Sequence, residues 1–399
     1  MSKTSNRINA MQFSPIRKLA PFADEAKKKG VHVYHLNIGQ PDIETPKTFF
    51  EGINDYEGKV LKYAGSRGID ELVESFIKYY KGWNVDFKPE NIMVTNGGSE
   101  AIFMTLFTIC DVGDEIIVPA PFYTNYVSFA AEAGVKVVPF ITKAEDGFHL
   151  PTKEEILAKV NDKTRAIMLS NPGNPTGVVY TKEELRMLGD IAKEKDLYLI
   201  ADEVYREFVY DGLKYTSLLS FKDLEDRVIV IDSISKRYSA CGARIGMAGS
   251  LNTEVMGQMM KLAQTRLCVP TIEQFAAANL INTPASYFEE TNAEYDRRRN
   301  ILFDGLKKIP GVICEKPTGA FYIVAKLPVK DAEAFATWML TDFNKDGKTV
   351  MVAPAAGFYG VDGVGLDEVR LSYCLNCDDL ADAMKIFAEG IAEYKKIEK

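Results

Sequence analysis

Lys236 lies in Ser233-Ile-Ser-Lys-Arg237, directly after an apolar run at 228–232, and Arg244 follows eight residues later. An amine close to other cations and partly shielded from water has a lowered pKa and can condense with an aldehyde. A solitary lysine is ordinarily a surface group, so Lys236 gains weight only from its neighbours. Asp202 closes the apolar run 197–201 and is followed by Glu203, Val204 and Tyr205. An acid in that place is usually a helix cap; facing a pyridine nitrogen, it would instead keep that nitrogen protonated and turn the ring into an electron sink. Asn174 stands in Asn171-Pro-Gly-Asn-Pro-Thr-Gly177, where prolines and glycines restrict the loop and can hold the amide toward a ligand. Asn96-Gly-Gly-Ser-Glu100 precedes a helical run, so backbone N–H groups and a positive dipole end are available to a phosphate. Taken singly, these segments also read as a rigid turn and an ordinary tight turn.

The positioning elements are short apolar runs at 91–95, 115–119, 136–140, 165–170, 197–201, 228–232 and 245–249. Helical stretches at 99–108 and 182–195 lie between them, the second opened by the capping box Thr181 and Glu184. Runs that are apolar throughout and alternate with helices predict an α/β fold: a mostly parallel seven-stranded sheet sandwiched by helices. Ligands bind at the carboxyl ends of such strands, where each of these loops falls. From about residue 285 the pattern changes to charged helices at 289–307 and 378–399 with strands at 320–324 and 369–373. This predicts a large domain over 48–284 and a smaller α+β domain built from 1–47 and 285–399. A helix over 15–30, ended by Gly30, belongs to the latter.

The 399 residues, 46% hydrophobic and 26% charged, supply ample core for two domains. A net charge of -8 argues against nucleic acid, which needs a basic face. The run Arg297-Arg298-Arg299 reads as a solvated helix face paired with acids. No run reaches membrane-spanning length and none of signal-peptide length follows the N-terminus, so no membrane partner and a cytoplasmic location are expected. The six cysteines read as reduced; Cys374-Leu-Asn-Cys377 lacks a second ligand pair, and no metal is expected.

Eight segments in order extend this pattern: Leu36-Asn-Ile-Gly39-Gln-Pro41-Asp, Tyr63-Ala-Gly65-Ser-Arg-Gly68, the Gly98 turn, Pro121-Phe-Tyr123-Thr-Asn-Tyr126, the Asn174 loop, Asp202 to Tyr205, the Lys236 segment and Arg370-Leu-Ser. Together they resemble the fold-type I pyridoxal-phosphate enzymes of the class I/II aminotransferase family, the aspartate aminotransferase superfamily, over nearly the whole chain. The resemblance implies that Lys236 holds pyridoxal 5'-phosphate as a Schiff base and later moves the substrate proton. It further implies that Asp202 pairs with the pyridine nitrogen, Tyr205 and Asn174 bond the phenolic oxygen, and Tyr123 stacks on the ring. Gly98 and Ser99 amides, Ser233, Ser235 and Arg244 would hold the phosphate, joined by Tyr63 from the other subunit of a homodimer. Arg370 would clamp the substrate α-carboxylate, with Gly39 leaving room beside it.

Ser99 departs from bacterial aspartate-specific relatives that carry a lysine there for the distal carboxylate, and Arg266 in Gln264-Thr-Arg-Leu-Cys268 is the candidate replacement, reaching across the dimer. Pro354-Ala-Ala-Gly-Phe358 also departs from the usual Pro-Gly-x-x-Phe. The implied activity is ping-pong transfer of an α-amino group to a 2-oxo acid, with aspartate and 2-oxoglutarate as the expected pair. Neutral or aromatic amino donors, or a C–S β-lyase, would keep the same residues.

Overall fold

Residues that alternate between two apolar faces pull a strand into the middle of a three-layer stack. In the computed structural model, which describes residues 4–11 and 13–398, this is the fate of the central runs. Ile116 and Val118 enter one core and Ile117 the other; Ile229 and Ile231 likewise separate from Val228 and Val230. Successive side chains on a strand point to opposite faces, so helices must cover both. The seven strands are ordered Ile92–Thr95, Gly246–Gly249, Val228–Ser233, Tyr198–Asp202, Thr164–Ser170, Glu115–Ala120, Lys136–Ile141. Gly246–Gly249 runs antiparallel to both neighbours and the other pairs are parallel. The capping box at Thr181 opens the helix Lys182–Glu194 as the sequence predicts.

The chain ends meet in a second core. His32–His35 pairs in parallel with Lys348–Met351, and Glu368–Ser372 lies between Ala353–Pro354 and Tyr322–Lys326 in an antiparallel sheet. Helix Cys377–Ile397 packs against Ala285–Lys307 beside them. The helix expected over 15–30 is shorter, Ala20–Lys28. Pro21 lacks an N–H and is tolerated only in a first turn, so the helix begins just before it. Residues 14–18 form a turn instead, with the Arg17 and Lys18 amides donating to the Ser14 carbonyl at 3.1 Å each. At the other end Gly30, at φ +84°, closes the helix as expected.

The arginine run is a correction. It is paired with acids, but only Arg297 faces water. Arg298 and Arg299 are buried because distant stretches pack on Ala285–Lys307: Arg298 pairs with Asp42 and Glu294, and Arg299 with Asp211 and Asp296 beside the Tyr210 ring and the Pro317 carbonyl. Among the described residues the six cysteines are unbridged, no three potential metal ligands cluster, and no helix is long and apolar enough to cross a membrane.

Candidate active site

The strand ends converge on one cavity of about 590 Å³. Tyr198–Asp202 delivers Asp202, and Val228–Ser233 delivers Ser233 and runs into the short helix Ile234–Arg237, which carries Ser235 and Lys236. Thr164–Ser170 leads into the Asn174 loop, and Ile92–Thr95 into the helix Gly97–Ile109, whose first turn holds Gly98 and Ser99. All of these residues line the cavity, together with Gly39, Tyr123, Tyr205, Arg244 and Arg370. Positions scattered over more than 300 residues of sequence are thus brought to one wall-to-wall site.

Among the described residues the Lys236 amine makes one hydrogen bond, from Nζ to the Gly39 carbonyl at 3.0 Å, and lies about as far from the Tyr205 ring (6.0 Å) as from that of Phe321 (5.9 Å). Asp202 does not cap a helix; a turn follows it. Its Oδ2 accepts from the Tyr126 hydroxyl at 2.7 Å and its Oδ1 from the Val204 amide at 3.4 Å. Burial pushes its carboxyl up to about 6, against the lowering effect of those hydrogen bonds. Among the described residues no cation forms an ion pair with it, so a carboxylate facing the cavity is left for a cationic ligand group. That is the demand a protonated ring nitrogen meets.

The phosphate end is built by close backbone approach. A Cβ on Gly246 would lie 2.6 Å from the Gly97 carbonyl carbon and 2.7 Å from the Gly98 nitrogen, and one on Gly97 would lie 2.3 Å from Arg244 Nη2. Only hydrogen at these positions lets the turn and the guanidinium share the space. Ser233 Oγ and Ser235 Oγ are 2.8 Å apart, and Arg244 Nη1 donates to the Cys241 carbonyl at 3.0 Å, with no acid partner among the described residues. Two hydroxyls, N-terminal amides and an unneutralised guanidinium suit a phosphate dianion.

At the opposite end Arg370 donates from Nη1 to Asn174 Oδ1 at 3.1 Å and from Nη2 to the Asn37 carbonyl at 2.5 Å. Among the described residues its Nε has no partner although the residue is buried, and burial pushes its pKa down. The guanidinium carbon lies over the rings of Tyr322 (4.6 Å) and Phe358 (5.0 Å). A planar cation held by two hydrogen bonds and two aromatic rings, with a donor unspent, fits a carboxylate.

Tyr322, Tyr126 and Asn37 carry parts that the sequence reading did not assign. The Tyr322 hydroxyl meets that of Tyr205 at 2.9 Å, and burial raises both well above the usual tyrosine range, so they act as neutral hydrogen-bonding groups. A Cβ on Gly39 would fall 1.8 Å from the Tyr322 hydroxyl, so the room left by that glycine is filled by a tyrosine. Tyr126 and Asn37 fall inside segments quoted above, and only their distant partners reveal what they do. Tyr63 lies outside this cavity, 80% exposed. Arg266 does not line this cavity; within the chain its guanidinium donates to Glu100 at 3.0 Å and to the Ser66 and Val94 carbonyls.

A mostly parallel seven-stranded sheet with an amine and an acid at adjacent strand ends defines the class as the fold-type I transferases. The family description "Aminotransferase class I and II" matches residues 31–354. An aspartate aminotransferase of Bacillus subtilis (strain 168) is 31% identical, over 96% of this chain and 97% of its own length. The aromatic-amino-acid aminotransferase 2 of Thermococcus litoralis is 33% identical, over 98% and 99%. The crystal structure of the Thermotoga maritima aspartate aminotransferase superposes with a TM-score of 0.88 at 31% identity, covering 98% of this chain and all of that one. The chain belongs to the aminotransferase class I and II family, and it is an aminotransferase.

Proposed function

We propose that the protein binds pyridoxal 5'-phosphate in this cavity and passes the α-amino group of aspartate to 2-oxoglutarate by a ping-pong mechanism, as a cytoplasmic homodimer. The observation that carries this reading is the placement of the Lys236 amine, the Asp202 carboxylate and the Arg370 guanidinium around one cavity. When bound, the cofactor supplies an aldehyde for an amine and an electron-withdrawing ring.

Lys236 would anchor the cofactor and, once displaced by the substrate amine, carry the proton to and from the substrate α-carbon. Asp202 would hold the proton on the ring nitrogen, with Tyr126 fixing the carboxylate. Tyr205 and Asn174 would bond the phenolic oxygen, and Tyr123 would lie against the ring face. Ser233, Ser235, Arg244 and the Gly98 and Ser99 amides would bind the phosphate. Arg370 would bind the substrate α-carboxylate and orient its Cα–H bond toward Lys236. The exposure of Tyr63 supports a role in the cavity of a second copy. Residues 48–284 would form the cofactor-binding domain, and 1–47 with 285–399 the smaller domain.

The test is borohydride reduction with pyridoxal phosphate, peptide mapping of the added mass, and absorbance titration with amino acids. The reading requires the mass on Lys236 and conversion of the cofactor band by aspartate and glutamate. Conversion by alanine or phenylalanine alone would move the assignment to neutral or aromatic donors. Pyruvate and ammonia released from a β-substituted substrate would move it to a C–S β-lyase.

A further inference from the structure

Four cationic side chains line the cavity, Arg17, Lys236, Arg244 and Arg370, against one carboxylate, Asp202. The aminotransferase reading, on which this inference rests, employs three of them: Lys236 for the aldehyde, Arg244 for the phosphate and Arg370 for the α-carboxylate. Arg17 is left over. Among the described residues its guanidinium has neither an acid nor a carbonyl as partner, whereas the adjacent Lys18 is ion-paired with Glu333. An exposed arginine is usually of no consequence; this one points into a site that already carries excess positive charge.

Its position is held from both sides. The Ile16 carbonyl accepts from Asn37 Nδ2 at 3.1 Å, and the Asn37 carbonyl in turn accepts from Arg370 Nη2 at 2.5 Å. One asparagine therefore ties the Arg17 turn to the arginine assigned to the α-carboxylate. Pro15 packs so closely on Gly357 that a Cβ there would come within 2.6 Å of its ring, and Leu19 is buried in the second core. The charge of Arg17 is also felt at the Tyr123 hydroxyl, which Asn125 Nδ2 bonds at 2.9 Å.

We infer that Arg17 binds the distal carboxylate of a dicarboxylic amino or 2-oxo acid, supplying from the chain's own N-terminal turn the cation that Ser99 lacks and that Arg266 spends on Glu100. A guanidinium presents paired donors to a carboxylate, and the pair strengthens as bound substrate excludes water. Alanine and phenylalanine offer it nothing.

The experiment compares holoenzymes of wild type, Arg17→Gln, Arg17→Lys and Lys18→Gln, with aspartate, glutamate, alanine and phenylalanine as donors. It also measures the dissociation constants of succinate and propionate. In Arg17→Gln the ratio of kcat/KM for aspartate to that for alanine falls about 100-fold, and succinate binding weakens in parallel while propionate binding does not. Arg17→Lys recovers part of the ratio, and Lys18→Gln, whose charge lies outside the cavity, keeps the wild-type ratio. The inference is overturned if Arg17→Gln keeps the ratio, if aspartate and alanine lose equally, or if the wild type transfers amino groups from neutral donors and ignores dicarboxylates. A wild type that transfers from no donor at all sinks the aminotransferase reading itself, a distinguishable result.

Discussion

Arg370 reaches Asn174 across 196 residues of sequence, donating from Nη1 to Oδ1 at 3.1 Å, and this contact joins the smaller antiparallel sheet to the loop that leaves the central one. Asn174 and the Asn37 carbonyl accept from its two terminal nitrogens, and the Tyr322 and Phe358 rings lie 4.6 and 5.0 Å from it.

A point charge cannot reproduce that geometry. Arg370→Lys is expected to lower kcat/KM by roughly 1,000-fold for every amino donor alike, since all share the α-carboxylate. Steady-state kinetics with aspartate and alanine checks this; a loss confined to one donor would place the residue elsewhere in the substrate.

Asp202 predicts a pH-dependent stability of the cofactor-free protein. Folding raises its pKa from 3.8 to about 6, so the folded state binds the proton more tightly than the unfolded chain. The native state is therefore favoured below 3.8 and loses that advantage as pH rises through about 6, a change of about 3 kcal/mol. Cofactor-free Asp202→Asn should be more stable than wild type at pH 8 by up to that amount, and the two should converge near pH 4. Urea melts across this range decide it, and a constant difference at all pH values would refute it.

Tyr126→Phe removes the 2.7 Å hydrogen bond that lowers the Asp202 pKa. A bond to a charged acceptor is worth about 1.5–3 kcal/mol, so the acidic limb of the kcat/KM profile should move up by about a pH unit or more. An unmoved limb would mean that Asp202 does not set it.

Gly246→Ala puts a methyl group 2.6–2.7 Å from the Gly97 and Gly98 backbone, which cannot swing aside as a side-chain tip can. The phosphate turn must shift, at a cost of about 1–3 kcal/mol. Weaker binding of pyridoxal phosphate together with a lower Tm is expected, and calorimetry with a thermal melt measures both.

Much of this site is legible from residue order. Most strand runs are apolar through their middle, several of the turns are written in glycine, proline, asparagine and serine, and Lys236, Asp202, Asn174 and Ser99 stand at or just past the strand ends where a parallel sheet gathers its ligands. Those signals are local: they come from side-chain period, backbone allowance and capping, which act within a few residues. The placing of Gly246–Gly249 antiparallel between two neighbours, the filling of the space beside Gly39 by Tyr322, and the burial of Arg298 on Asp42 and of Arg299 on Asp211 are not local. Neither is the choice of Arg266 to pair with Glu100 while Arg17 stays open to the cavity. Each depends on which of several possible partners a distant element carries to hydrogen-bonding distance. That is decided by how the two cores pack together, because a charged side chain in sequence specifies only that it needs a partner, and packing alone specifies which one arrives.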